Sequence, residues 1–192
     1  MPSARKILNR TENQAKIGCM TPSELRARLE RARSVTLELY SRVPSHRRGE
    51  HSGPDRWSPA MVLEHLRLVD QSTAAVVGRL ARRAGGIAGA APTEIDMPHD
   101  LDALVDTVMD YPVVAGAEPV DRDPETVAAE LDVARAQLNE SVDAALAVDC
   151  GARTFPHPII GPLTAYEWIA FVSVHETGHH RQLRDILDEL AG

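Results

Sequence analysis

Aromatic residues are scarce in this chain of 192 residues, and cysteines are rarer still. Two Trp, three Tyr and two Phe make up 4% of the sequence, so a folded core must be built mainly from aliphatic side chains and alanine. The two cysteines, Cys19 and Cys150, lie far apart, and neither has the neighbours of a zinc knuckle or a redox pair. This cysteine usage favours a reducing, cytoplasmic setting.

Long apolar runs are also missing. No uninterrupted hydrophobic stretch approaches the length that crosses a bilayer, and the first 20 residues lack the apolar segment of a secretory signal. The formal net charge is −7, whereas binding to a phosphate backbone depends on clustered Lys and Arg. We therefore expect a cytoplasmic protein that binds neither a membrane nor nucleic acid.

The length of the chain suits one domain with its own hydrophobic core. Residues 1–20 read as an N-terminal extension, which we predict to be loosely ordered. Residues 21–192 then form a single helical domain. The basic residues near its start, Arg26, Arg28, Arg31 and Arg33, alternate with acidic ones and predict a solvated helix face.

Four segments carry the three-and-four spacing of apolar residues that is typical of amphipathic helices. Each begins with a capping signal: Thr21 before Pro22, Ser58 before Pro59, Asp123 before Pro124, and Thr164. The predicted helices end near Tyr40, Gly85, Asp149 and Leu190. They predict an all-α fold, a four-helix bundle with a long crossover between its second and third helices.

The crossover spans residues 85–123 and is rich in Gly, Ala and Pro. A short helix is predicted from Asp100 to Met109, and we expect the segment to pack over one end of the bundle, since so long a connection within a compact domain usually has a function. Before the last helix, residues 155–162 are predicted to form a turn. The sequence does not indicate what the crossover does.

Three histidines fall on the apolar faces of these helices. His65 lies in the middle of the inward stripe of the second helix, and His175 and His179 lie four residues apart on the inward stripe of the last. Their imidazoles can converge on one divalent ion, and three protein ligands leave a coordination position open. The pattern predicts a metal site of the kind found in catalytic zinc enzymes.

Two stretches resemble a known family. The sequences WSPAMVLEHL at 57–66 and HPIIGPLTAYEWIAFVSVHETGHHRQL at 157–183 are similar to those of the DinB-like superfamily, the DinB/YfiT-like metalloenzymes. The resemblance implies a DinB/YfiT-like bundle in which His65, His175 and His179 bind the metal. It also gives Trp57 and Gln182 structural roles around the ligands, with Gln182 orienting a ligand imidazole.

The resemblance further implies an enzyme that activates a nucleophile. Characterised members are similar to S-transferases that use low-molecular-weight thiols such as mycothiol or bacillithiol, so a small-molecule substrate is expected. Zinc is the expected ion, with nickel and iron as alternatives. A metal-dependent hydrolase and a non-catalytic metal-binding stress-response bundle remain open, and a homodimer is compatible with each.

Other residues near the proposed ligands admit two interpretations. Glu64 and Glu176 lie off the inward stripes, which favours solvated or supporting roles over ligation. His180 falls with Arg181 and Arg184 on what reads as the polar face, where the arginines are expected to pair with Asp185 and Asp188. Gly178 suggests a close helix approach, and His157 either lines the mouth of the site or caps the last helix.

Overall fold

The computed structural model of the chain describes residues 18–85 and 90–191. Most of the predicted N-terminal extension, residues 1–17, lies outside the described residues. Residues 18–20 do have a regular partner: strand β1 (Gly18–Met20) pairs antiparallel with β2 (Ile95–Met97), so that Cys19 lies opposite Asp96. Within the described part of the chain, no helix is both long enough and apolar enough to cross a membrane.

Four long helices confirm the predicted bundle. They are α1 (Pro22–Ser41), α2 (Pro59–Gly85), α4 (Pro124–Leu146) and α5 (Ala165–Ala191), with a short α3 (Val105–Met109) in the crossover. The predicted caps form: Thr21 and Glu24 make a capping box, Asp123 accepts from the amide of Thr126, and Thr164 accepts from that of Glu167. Helix α4 ends three residues before the predicted Asp149.

The contacts between helices fix their directions. Arg28 and the later Thr36 on α1 contact Ser173 and the later His180 on α5, so these two helices run parallel. Helix α2 runs parallel to α4. Asp70 on α2 contacts Arg135 on α4, and farther along both helices Gly78 lies against Ser141. Parallel neighbours cannot be joined by a short turn. This requirement explains the long connection between α2 and α4.

The crossover therefore runs along the bundle, and the prediction that it packs over one end is wrong. His99 contacts Glu167 at the start of α5, Met109 lies against Gly178 farther along that helix, and the carbonyl of Ala117 reaches His65 near the start of α2. The predicted short helix appears as a 3-10 turn, Asp102–Leu104, followed by α3. The crossover thus covers the face of α5 that carries the histidines.

The predicted turn before α5 is a β-hairpin. Strand β3 (Thr154–His157) pairs with β4 (Gly161–Thr164), and Gly161 takes a positive φ of 104° at the start of the second strand. Glycine adopts this conformation without steric cost. The hairpin places His157 close to the first turns of α5.

The hydrophobic core is divided by a polar layer. On each long helix the buried apolar residues fall into two clusters, for example Leu25 and Leu29 in one and Leu39 and Tyr40 in the other. Between them lie buried charged or polar side chains, including Arg33 on α1. Arg33 is only 7% exposed, which corrects the prediction that it belongs to a solvated face. The full layer comprises Arg33, Thr36, Asp70, Thr73, Arg135, Glu176 and His180.

Candidate metal centre

The structure brings the three predicted histidines together. His65 on α2 and His175 and His179 on α5 are all buried, and their ligand nitrogens lie within 4.8 Å of one another. The Nε2 atom of His175 is 3.2 Å from that of His65 and 3.3 Å from that of His179. These separations place three imidazole nitrogens around one point between two helices.

The hydrogen bonds of the outer nitrogens determine which ring nitrogens carry protons. His65 donates its Nδ1–H to the carbonyl oxygen of Ala117 at 2.7 Å, and His179 donates its Nδ1–H to Oε1 of Gln182 at 2.7 Å. Because carbonyl oxygens only accept, the Nε2 atoms of these two neutral rings are left with lone pairs. The Nδ1 of His175 is buried without a hydrogen-bond partner in the described structure.

Burial keeps the three rings neutral. It lowers the pKa of His65 below the ordinary value, lowers that of His175 further, and brings that of His179 to about 4. The Nε2 lone pairs of His65 and His179 both face Nε2 of His175, where one N–H can satisfy only one of them, whereas a cation among the three atoms would satisfy both. The donor set therefore fits a divalent ion that accepts nitrogen ligands, as zinc does.

Aromatic rings surround the cluster. The Trp57 ring lies against His65, with 5.1 Å between the ring centroids, and stacks on His179 with a centroid distance of 6.0 Å. The Phe171 ring stacks on His175 with a centroid distance of 5.5 Å. These contacts fix the imidazole planes and place apolar surface beside the cluster. Trp57 and Gln182 thus lie next to the rings they were expected to support, and their effect on metal binding stays a prediction.

His157 is held beside the cluster rather than in it. Its ring packs on Phe171 at 4.3 Å, and its Nδ1 accepts from the backbone amides of Ile159 and Ile160 at 3.3 and 3.2 Å. Burial lowers the pKa of His157 to about 4. The ring is therefore neutral, with its proton on Nε2, and it serves the hairpin rather than capping α5.

The two neighbouring carboxylates lie outside the histidine cluster but are not solvated, which corrects part of that prediction. Glu64 is 3% exposed and forms two 2.7 Å hydrogen bonds with Arg67. Glu176 is fully buried and accepts from Arg33 and Arg135 at 2.8 and 2.7 Å. Burial alone would raise the pKa of Glu176, but the two guanidinium groups hold it below its ordinary value.

The burial and ion pairs of Glu176 distinguish this helix from a known metal-binding motif with the same residue spacing. His175, Glu176 and His179 have the H-E-x-x-H spacing, in which the Glu of a metalloprotease acts as general base. Here the carboxylate of Glu176 forms ion pairs with two arginines. The spacing is therefore shared with such enzymes, but Glu176 is held in two ion pairs and is not free to act as a general base.

His180 and Arg181 also differ from expectation. His180 is 4% exposed, and its Nε2 lies 3.0 Å from both Oγ1 of Thr36 and the carbonyl oxygen of Ala32. The predicted polar face at His180 is thus covered by α1. Arg181 pairs with Asp106 of the crossover and not with the acidic residues of its own helix.

The sequence reasoning missed two features that shape the centre. The carbonyl of Ala117 orients His65, but a backbone acceptor in a Gly/Ala-rich crossover leaves no mark in the sequence. The buried ion pairs left a signal that could have been used: Arg33 follows Leu25 and Leu29 at four-residue intervals, which places it on the inward stripe.

Comparisons with known proteins agree with this architecture. The sequence profile of the DinB superfamily matches residues 28–183. An uncharacterised protein of Bacillus subtilis, YuaE, is 24% identical over 161 residues, covering 83% of this chain and 94% of its own. The crystal structure of TT2238, a four-helix bundle protein, is similar with a TM-score of 0.59 and 29% identity, covering 86% of this chain and 99% of that one. The chain belongs to the DinB superfamily.

Proposed function

We propose that this protein binds a divalent ion through His65, His175 and His179 and uses it to activate a small nucleophile. One observation carries the proposal: in three buried, neutral imidazoles, the Nε2 atoms of His65 and His179 lie 3.2 and 3.3 Å from that of His175. Zinc is the expected ion, with nickel and iron as alternatives, because imidazole nitrogens suit all three. Three protein ligands would leave a position for a substrate atom.

The chain's own residues prepare the site. Ala117 and Gln182 hold two imidazoles in one tautomer, which spares the cost of reorienting them on binding. Trp57 and Phe171 border the rings with apolar surface, which keeps water from the cluster. A bound divalent ion would supply Lewis acidity, lowering the pKa of a thiol or water in the open position.

The surroundings favour a thiol over water as the nucleophile. A free thiol has a pKa of about 8.5 and needs little assistance to ionise near neutral pH, whereas water is far less acidic. Glu64 and Glu176, the carboxylates beside the ligands in sequence, are both engaged by arginines. Neither is free to act as a general base for hydrolysis.

The reaction would then be S-transfer from a low-molecular-weight thiol, of which mycothiol and bacillithiol are examples. The thiol loses its proton to solvent, and its sulfur forms a bond to an electrophilic carbon of a small-molecule substrate. The bond from that carbon to its leaving group breaks, and the leaving group takes the electron pair. Hydrolysis at the same position is the second candidate, and a non-catalytic metal-binding bundle is the third.

Elemental analysis tests the metal site. Purified protein is incubated with zinc sulfate, desalted and measured beside His175→Ala and the control His46→Ala, which removes an exposed histidine outside the cluster. We expect one ion per chain in the wild type and the control, and none in His175→Ala. A wild-type protein without bound metal would refute the proposal.

Thiol consumption tests the chemistry. Loss of mycothiol or bacillithiol in the presence of a model alkyl halide is followed with the zinc-loaded protein, with chelated protein and with His175→Ala. Consumption that requires both the ion and His175 supports S-transfer. Bound metal without thiol consumption would instead favour the hydrolase or the non-catalytic bundle.

A further inference from the structure

Four buried charges meet in the polar layer of the bundle, one from each long helix. Arg33 of α1 and Arg135 of α4 lie against Asp70 of α2 and Glu176 of α5, and their exposed fractions are 7%, 9%, 1% and 0%. Arg33 reaches Glu176 at 2.8 Å and Asp70 at 3.0 Å, and Arg135 reaches them at 2.7 and 2.9 Å. We call this set the ion quartet.

Stability alone does not account for the ion quartet. Removing charges from water is costly, and well-packed apolar side chains in place of a buried ion pair often leave a protein equally stable or more stable. The quartet is also incompletely satisfied, because Nη1 of Arg33 is buried without a partner in the described structure. What the quartet supplies beyond apolar packing is direction, since each guanidinium group donates to carboxylates only in a narrow geometry.

Helix α5 alternates between two kinds of contact. His175 and His179 face His65 on α2, and each is followed by a residue that contacts α1, namely Glu176 and His180. Successive residues are rotated by about 100° around a helix. The residue after each histidine of the cluster therefore holds α5 to its other neighbour, and the rotation of α5 sets both contacts at once.

Metal binding requires α5 to have the correct register and rotation. A shift of α5 by one residue would move its histidines by about 1.5 Å along the axis and about 100° around it. Ligand distances in a metal site must hold within about 0.2 Å. Apolar packing between helices tolerates small slips and repacking, whereas a forked ion pair does not.

We propose that Arg33, Asp70, Arg135 and Glu176 are positioning residues that fix the register and rotation of α5 so that its two histidines meet His65. The inference rests on the proposed metal site. It assigns the ion quartet a role in metal affinity that is separate from any role in stability.

The test replaces the ion quartet with apolar residues of similar size, Arg33→Met, Asp70→Leu, Arg135→Met and Glu176→Leu together. Thermal unfolding of the metal-free protein, zinc affinity by chelator competition and the absorption spectrum of the Co²⁺-loaded protein are measured. We expect unchanged or higher stability, zinc affinity lower by on the order of tenfold or more, and a changed Co²⁺ spectrum. A folded variant with wild-type affinity and spectrum would overturn the inference.

Two single substitutions test the positioning role if the variant with the apolar quartet does not fold. Arg135→Lys keeps the charge but loses the fork, and Arg26→Lys makes the same substitution at an ion pair with Asp143 that joins α1 to α4 without touching α5. Only Arg135→Lys should lower zinc affinity and alter the Co²⁺ spectrum; equal affinity in both variants would overturn the inference. A wild type without zinc binding would defeat the proposed function itself, whereas normal zinc binding by the variants defeats only the positioning role.

Discussion

Gly178 shows how one residue can be required by a neighbour that is remote in the sequence. It lies between His175 and His179 in the middle of α5, where glycine costs about 1 kcal/mol relative to alanine. A Cβ atom at this position would lie 2.7 Å from Sδ of Met109 and 3.3 Å from Cγ2 of Val105. The glycine therefore lets the crossover approach the backbone of α5 directly beside the histidine cluster.

We expect the effect of Gly178→Ala on stability to change sign with the residue at position 109. In the wild type the added methyl group overpacks the contact, and we expect a loss of about 1 kcal/mol. In a Met109→Ala background only the 3.3 Å contact with Val105 remains, which a small shift relieves, so the better helix former should stabilise the protein by up to about 1 kcal/mol. Urea unfolding of the four proteins measures both effects; additive effects would contradict this account.

Prediction of which histidines are buried was right for three of them and wrong for a fourth. The apolar periodicity placed His65, His175 and His179 on inward faces, and the structure brings them together. The same reasoning placed His180 on a polar face, because it assumed that α5 has one solvated side. Instead α1, α2 and the crossover all pack on α5, and residues 163–176 are buried without interruption.

At the scale of the element, the start of α5 is tied to the crossover by an ion pair that the sequence does not reveal. Glu167 closes the capping box by accepting from the amide of Thr164 at 2.9 Å, and its other oxygen accepts from Nδ1 of His99 at 2.5 Å. Hydrogen bonding to Glu167, opposed by partial burial, raises the pKa of His99 above its ordinary value. One carboxylate thus holds two segments together.

This contact predicts a pH-dependent contribution to stability. Because the folded-state pKa of His99 is raised, its stabilising effect should be fully present below the unfolded pKa of about 6.5 and lost as the pH rises through the folded value. We expect His99→Gln to cost about 1–2 kcal/mol at pH 5.5 and less at pH 9. Urea unfolding of both proteins at the two pH values measures the difference; a cost that grows with pH would contradict it.

At the scale of the whole molecule, the candidate metal centre links α2 to α5, two helices that are about 100 residues apart in the sequence. An ion that binds only the folded protein stabilises it by mass action, by about 2.7 kcal/mol at a concentration 100-fold above Kd. The crossover is stabilised with them, because its Ala117 carbonyl accepts a hydrogen bond from His65. Cytoplasmic location, a small-molecule substrate and a homodimer stay predictions at this scale.

We therefore expect zinc to raise the Tm and chelation to lower it. For a domain of this size the gain should be about 5–10 °C at a zinc concentration 100-fold above Kd. His175→Ala should show no shift, whereas His46→Ala should shift as the wild type does. Scanning calorimetry with zinc and with a chelator measures this, and an equal shift in His175→Ala would indicate binding elsewhere.

The sequence by itself determined the four long helices, their caps and the inward position of the three histidines, because periodicity and capping are local properties. Only the tertiary structure decided what surrounds them. The path of the crossover follows from the parallel arrangement of α2 and α4, and the burial of Arg33, Glu176 and His180 follows from packing around α5. These features depend on which faces meet, and that depends on all four helices at once.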